Sequence, residues 1–189
     1  MQTIGVLEFG CWIIFLVVWV VSAFSAKRNI RSEHWWQSPW LRIAIFILFY
    51  IFFWHRVVLL VGSTARILPP NIIVATIGLI LTAAGIVFAI AARFYLGRNW
   101  GMPMSLKEDR KLVQKGPYKY IRHPIYSGML LAMVGTILVA GPWWLVICAL
   151  CSAYFFYSAV AEERTLTKEF PTEYPVYKKS TKMLIPFVF

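Results

Sequence analysis

Long runs of apolar residues, separated by short polar and basic stretches, make up most of this chain. Five runs approach or reach the length of a membrane helix, at residues 4–24, 40–61, 72–92, 125–140 and 143–161. A helix needs about 20 apolar residues to cross the hydrocarbon core, and these runs lack the polar face of a soluble amphipathic helix. We therefore predict an all-α, polytopic membrane protein with five transmembrane helices, forming one domain over residues 1–189.

Turn-forming residues separate several of the runs. Pro69, Pro70 and Asn71 precede the third run, and Gly141-Pro142 joins the last two, which are therefore predicted to form a helical hairpin. The two longest segments left outside the membrane, both expected in the cytoplasm, are 93–124 and 162–189. No Lys or Arg precedes the first run, so it lacks the basic start of a signal peptide and is expected to remain as a membrane helix.

Composition and charge narrow the class further. The chain is 60% hydrophobic and 14% charged, whereas a soluble domain has about one quarter charged residues. Most of the 19 Lys and Arg follow the first, third and fifth runs, which places those segments in the cytoplasm and the N-terminus outside. This orientation, with attraction to anionic lipid, accounts for the net charge of +11, so the expected partner is the membrane and not nucleic acid.

Some reactive or charged residues lie inside the apolar runs. Cys148 and Cys151 have C-x-x-C spacing, but no second ligand pair is near them, and we interpret them as helix packing with no metal site. Glu8 and Arg56 fall at similar depths in the first two runs, so we predict that they form an ion pair. His55 is interpreted as an interhelical hydrogen-bonding residue.

Residues 116–128, GPYKYIRHPIYSG, form the densest polar cluster, and we call this segment the corner. Pro124 suits the first turn of a helix, with His123 as its N-cap. The unpaired N–H groups of that turn, beside Arg122, favour a carboxylate or phosphate. The corner is therefore a candidate ligand site; the alternative is an ordinary membrane-entry turn.

Glu162 and Glu163, the acid pair, are predicted to lie at the end of the fifth helix. Because the last two helices are antiparallel neighbours, the acid pair should face Arg122 and His123. Two adjacent carboxylates at a helix C-terminus oppose the helix dipole and repel each other, so a cation is expected beside them. Arg122 alone or a cationic cofactor would supply that charge. Alternatively, the carboxylates would accept hydrogen bonds from the hydroxyls of a ribose.

The corner, followed after a helical hairpin by EERTLTKEFPTEYPVYKKSTKMLIPFVF, resembles the membrane methyltransferases related to isoprenylcysteine carboxyl methyltransferase and, more distantly, phosphatidylethanolamine methyltransferase. The resemblance covers about the last half of the chain, from Gly97. It implies S-adenosyl-L-methionine as methyl donor, held at the cytoplasmic face. The residues that would bind this cofactor are Gly116, Tyr118, His123, Pro124, Tyr126, Gly128, Glu162 and Glu163.

For methyl transfer to such an acceptor, the candidate catalytic residues are Arg122, Glu163 and Arg98. A carboxylate acceptor is already ionised and needs only a cation, for which Arg93 is a further candidate, whereas an amine acceptor needs a base such as Glu163, His123 or a tyrosine. The expected acceptor is a lipid or a prenylated small molecule entering from the bilayer, most like an isoprenylcysteine carboxylate. The alternatives are a phospholipid N-methyltransferase, an NADPH-dependent enzyme like the sterol reductases, and a non-catalytic membrane sensor or assembly protein.

Overall fold

A computed structural model describes residues 2–23, 29–31, 71–99, 106–107, 111–142 and 144–185. Within those residues the elements are five α-helices and two short strands: α1 (Gln2–Ala23), β1 (Asn29–Arg31), α2 (Ile72–Leu96), β2 (Leu106–Lys107), α3 (Pro124–Ala140), α4 (Trp144–Glu169) and α5 (Glu173–Ser180). Two short 3-10 helices lie at Gly97–Asn99 and Gly116–Lys119. The second predicted run, with His55 and Arg56, lies outside the described residues.

Four of the five helices are strongly apolar. Three are long enough to cross a membrane, at Thr3–Ser22, Ile72–Leu96 and Trp144–Glu169, and α3 is a shorter apolar helix of 17 residues. The helical architecture predicted from the sequence is confirmed, with one short antiparallel pairing between β1 and β2 added to it. The five-span topology and its orientation remain predictions.

Small residues bring α2 and α3 into backbone contact. A Cβ atom added to Gly85 would lie 2.5 Å from both Ala132 N and Gly128 O, and one added to Gly135 would lie 2.5 Å from Thr82 N. The Thr82 hydroxyl donates across this interface to Ala132 O at 3.2 Å. In apolar surroundings, such close approach is a principal source of helix association. The two helices are therefore held as a tight antiparallel pair.

α1 packs on this pair through one apolar cluster and one polar one. Phe15 is buried against α2 and α3. Glu8, only 8% exposed, accepts hydrogen bonds from Trp12 Nε1 at 2.9 Å and from Thr136 Oγ1 at 2.6 Å. The described partners of Glu8 are thus Trp12 of α1 and Thr136 of α3. The predicted partner, Arg56, lies outside the described residues.

Arg93 joins the C-terminal ends of α1 and α2. Its Nη2 donates to Ser22 O at 2.6 Å and its Nη1 to Gly97 O at 2.8 Å, and the residue is 2% exposed. Carbonyls in the last turn of a helix have no partner within the helix, and a buried guanidinium satisfies them. The two helices consequently run in the same direction and end at the same level.

α4 is longer than the sequence predicted. We expected it to end at residue 161, but it continues to Glu169, and the break comes at Phe170-Pro171. Four of the six residues between the acid pair and the end of α4 are good helix formers, and the residue before a proline is disfavoured in a helix. The acid pair therefore lies within the helix. The prediction that it lies at the C-terminus, where the helix dipole opposes negative charge, was wrong.

The tail, residues 170–185, returns to the start of α3. After α5 it runs alongside the corner, where Arg122 N donates to Lys182 O at 2.8 Å and His123 N to Met183 O at 3.1 Å. The Ser127 hydroxyl donates to Leu184 O at 2.5 Å. These bonds fix residues 182–184 of the tail against the corner.

Candidate active site

The corner adopts the helix start that its sequence predicts. α3 begins at Pro124 and His123 is its N-cap. In the described part of the chain the imidazole makes no capping hydrogen bond, and instead it faces α4. Its Nδ1 lies 3.7 Å from Glu162 Oε2 and its Nε2 lies 3.6 Å from Glu163 Oε1. The predicted meeting of the corner with the acid pair is confirmed.

Glu163 lies between two cations. Its Oε1 is 2.6 Å from Arg122 Nε and its Oε2 is 2.7 Å from Lys178 Nζ, while the residue is 3% exposed. Arg122 also donates to the carbonyls of Lys178 and Thr181 in the tail. The salt bridge between Arg122 and the acid pair, one of the two expectations for this position, is therefore present. It ties α4, the corner and the tail together.

An aromatic stack lies beside the acid pair. The His123 and Tyr126 rings are 5.5 Å apart and nearly parallel at 9°, and the Tyr126 and Phe155 rings are 4.9 Å apart at 6°. The sequence reasoning missed Phe155. Its spacing to Glu162, two helical turns on the same side of α4, was the signal that would have placed it there.

Three buried tyrosines meet where the tail contacts the corner: Tyr174 and Tyr177 of the tail, and Tyr118 of the corner. Tyr177 donates its hydroxyl to Tyr118 O at 2.7 Å, and the rings of Tyr174 and Tyr177 are 6.0 Å apart. Burial raises the pKa of Tyr118, and the negative charge of Glu162 adds to the increase. Burial likewise raises the pKa of Tyr174 and of Tyr177. These side chains are therefore hydrogen-bonding groups that keep their protons at neutral pH, which makes a tyrosine a poor choice as the base.

The glycines of the predicted cofactor set occupy packing positions. Gly116 has a φ of +59°, and a Cβ added to it would lie 2.6 Å from the Tyr95 ring. A Cβ on Gly128 would lie 2.6 Å from Gly85 O. Pro124 is buried at the first position of α3. Backbone conformation and helix packing are sufficient reasons for these residue types, and their contact with a cofactor remains a prediction.

The three candidate arginines differ in their surroundings. Arg122 lies between the acid pair and the tail, whereas Arg93 is buried as the cap of α1 and α2. The side chain of Arg98 lies outside the described part of the chain.

A basic cavity of about 350 Å³ adjoins Arg122 on the tail side. Its charged lining residues are all cationic among those described. The residues that border it are Arg122, Lys178, Lys179, Ser180, Thr181, Lys182 and Met183. The aromatic stack includes His123, the residue next to Arg122, so the cationic cavity adjoins the corner close to the stack.

Comparison with known proteins bears on what this arrangement is. A family model described as phospholipid methyltransferase matches residues 73–173, which include the corner, the stack and the acid pair. The chain belongs to the phospholipid methyltransferase family. The resemblance predicted from the corner and the tail is thereby confirmed.

Several individual methyltransferases are similar to this family member. It is 30% identical over 177 residues to a probable protein-S-isoprenylcysteine O-methyltransferase of Oryza sativa subsp. indica, covering 89% of this chain and 87% of the relative. It is 32% identical to protein-S-isoprenylcysteine O-methyltransferase A of Arabidopsis thaliana (61% and 60% covered). It is 39% identical over 71 residues to methanethiol S-methyltransferase 1 of Bradyrhizobium diazoefficiens (37% and 24% covered). The chain thus spans about a quarter of the bacterial relative and three fifths of the Arabidopsis one.

Proposed function

We propose that this protein transfers a methyl group from S-adenosyl-L-methionine to a lipidic acceptor at the cytoplasmic membrane face, most like carboxyl O-methylation of an isoprenylcysteine. Family membership and the names of the relatives support methyl transfer. The observation that carries the choice of acceptor is the basic cavity bordered by Arg122, whose chain neighbour His123 belongs to the aromatic stack.

The stack and the acid pair fit the chemistry of the donor. Aromatic side chains form favourable contacts with a purine, and a cation such as a sulfonium is attracted to an aromatic face. The side chain of Glu162 is 25% exposed and offers a carboxylate to hydroxyl or ammonium groups. His123 Nε2 is buried and, within the described residues, has no hydrogen-bond partner. We therefore place the donor among His123, Tyr126, Phe155 and Glu162.

When bound, the donor supplies a methyl group that is already activated by its sulfonium. The residues of this chain then have to position the acceptor and exclude water, since no strong base is required for a carboxylate. The tail, held across the corner by backbone hydrogen bonds, is suited to exclude water. Glu163 neutralises Arg122 and Lys178 in part, which leaves a net positive surface toward the cavity.

A carboxylate acceptor suits that cavity better than an amine. Lys179 and Lys182 are exposed at its rim and Arg122 lies at its inner side, so an anion is attracted and a protonated amine is repelled. The names of the plant relatives agree with this choice. The bacterial relative makes a small thiol the second candidate acceptor, because its identity over the shared segment is the highest of the three.

The experiment uses purified protein in nanodiscs with methyl-tritiated donor and three acceptors: a prenylcysteine, a lipid with a primary amine headgroup and a small alkyl thiol. We expect base-labile label, typical of a methyl ester, on the prenylcysteine. The double change Lys179→Glu and Lys182→Glu should raise the acceptor KM and leave the donor Kd unchanged, while Lys168→Glu serves as control. Label only on the amine or the thiol would contradict the acceptor, and no transfer to any of them would contradict methyl transfer to these acceptor classes.

A further inference from the structure

Three residues beside the proposed donor position carry buried polar atoms that the fold does not satisfy. Within the described part of the chain, Ser158 Oγ, Tyr174 Oη and His123 Nε2 have no hydrogen-bond partner. Ser158 and Tyr174 are each 1% exposed. Buried polar groups are nearly always paired, so each exception calls for a ligand, a water or a functional reason.

Ser158 lies on the side of α4 that faces the stack. It follows Phe155 by three residues and precedes Glu162 by four, and both spacings place side chains on one helix face. Phe155 is stacked on Tyr126, and Glu162 faces His123. The Ser158 hydroxyl therefore lies about one helical turn from each of two groups that we assign to the donor.

Tyr174 approaches the same region from the tail. It lies in α5 one helical turn before Lys178, whose Nζ is 2.7 Å from Glu163 Oε2, so both side chains are on the face of α5 that meets the acid pair. Burial raises the pKa of Tyr174, and the negative charge of Glu163 adds to the increase, so the hydroxyl keeps its proton. Its neighbour Tyr177 differs, because the Tyr177 hydroxyl has a partner in Tyr118 O at 2.7 Å.

We propose that Ser158 and Tyr174 are donor-binding residues, whose hydroxyls hydrogen-bond to polar groups of the bound S-adenosyl-L-methionine. This inference rests on the proposed function and adds two residues to the site. α4 and α5 then each contribute a hydroxyl, and the corner contributes His123. The bound donor satisfies groups that are unsatisfied in its absence.

If the two hydroxyls bind the donor, removing either one should lower donor affinity without lowering the stability of the protein alone. A hydroxyl with a structural role would not produce these two effects together. Removing a buried hydroxyl that has no partner does not destabilise the protein without donor, and it relieves an unmet desolvation cost. The same removal takes a hydrogen bond from the complex, so donor affinity falls. A hydroxyl that stabilises the fold would instead lower the melting temperature when removed.

The test is isothermal titration calorimetry with S-adenosyl-L-methionine, together with thermal unfolding without ligand, on the full chain in detergent. We expect Ser158→Ala and Tyr174→Phe each to raise the donor Kd about 3- to 10-fold. Their melting temperatures without ligand should be equal to or above that of the wild type. Two separate variants on different helices keep the test valid if one of them fails to fold.

Matched controls use the same changes at hydroxyls that have partners. Ser152→Ala, on α4, removes a hydroxyl that donates to Cys148 O at 2.7 Å, and it should leave the Kd unchanged. Tyr177→Phe, on α5, should lower the melting temperature. If Ser158→Ala and Tyr174→Phe both bind the donor as tightly as the wild type does, the assignment of these two hydroxyls is overturned and the proposed function stands. Lower melting temperatures in both test variants would overturn it in favour of a structural role, and a wild type that does not bind the donor would overturn the proposed cofactor as well.

Discussion

Arg122 Nε lies 2.6 Å from Glu163 Oε1, and this pair connects three parts of the chain that are distant in sequence. Arg122 belongs to the corner, Glu163 to α4, and the carbonyls of Lys178 and Thr181 that also accept from Arg122 belong to the tail. Both side chains of the pair are less than 10% exposed. The position of the tail over the corner therefore depends on a buried ion pair.

Arg122→Gln should release the tail. The change leaves Glu163 buried with Lys178 as its remaining described cation, and breaking a buried pair costs about 3–5 kcal/mol. We expect faster amide hydrogen exchange at residues 181–185 and a lower melting temperature. Arg164→Gln, on an exposed neighbouring residue of α4, is the control. Exchange in the tail that is equally fast in both variants would show that the pair does not hold it.

Glu162→Gln should weaken donor binding without moving the tail. Glu162 faces His123 and is more exposed than Glu163, and loss of a hydrogen bond to a charged group costs about 1.5–3 kcal/mol. The measurement is the donor Kd by calorimetry, with Glu169→Gln as control and tail hydrogen exchange as a second readout. Glu163→Ala is a less informative variant because it also frees Arg122. An unchanged Kd in Glu162→Gln would remove this residue from the site.

Gly85→Ala should separate α2 from α3. The added methyl group would meet backbone atoms of Ala132 and Gly128 at 2.5 Å, and backbone cannot yield as a side chain does. Overpacking of this kind costs about 1–3 kcal/mol. The matched control is Gly10→Ala in α1, where nothing lies within 4 Å of the added atom. Thermal unfolding in detergent measures both, and equal stability would contradict the close approach.

Thr136→Val should weaken the attachment of α1. It removes the hydroxyl that donates to Glu8 Oε1 at 2.6 Å, and leaving a buried acceptor short of a partner costs about 1–3 kcal/mol. Thr76→Val, whose hydroxyl bonds only within its own helix at an exposed position, is the control. Unfolding in detergent should begin at a lower temperature in Thr136→Val alone. Equal transitions would mean that Glu8 is held by other groups.

The four apolar helices that the structure describes, α1 to α4, followed from the first, third, fourth and fifth apolar runs, and the start of α3 followed from His123-Pro124. The end of α4 was not predicted. The apolar run ends where polar residues begin, whereas the helix continues through polar residues, most of which have good helix propensity. The interface of α2 with α3 was also missed. Its signal was present as Gly78 and Gly85 facing Gly128 and Gly135, at matching seven-residue spacings.

Within the site, the sequence predicted which groups meet but not how they pair. The hairpin required that the acid pair approach His123, and the structure confirms it. Glu163 pairs with Arg122 and Lys178 because α5 packs back against α4 and the corner. No pattern in the neighbouring sequence specifies that packing. Phe155, Ser158 and Tyr174 were missed because an aromatic or a hydroxyl residue in an apolar helix, or in a short tail helix, has many ordinary roles.

The central claim is that a methyl donor binds against the aromatic stack beside the acid pair. Equilibrium dialysis of tritiated S-adenosyl-L-methionine against wild type, Tyr126→Ala and Tyr154→Ala tests it most directly, since Tyr126 is the middle ring of the stack and Tyr154 is half exposed on α4. The account predicts saturable binding to the wild type and to Tyr154→Ala, weakened about tenfold or more by Tyr126→Ala. Absence of saturable binding, or equal binding to all three proteins, would contradict it.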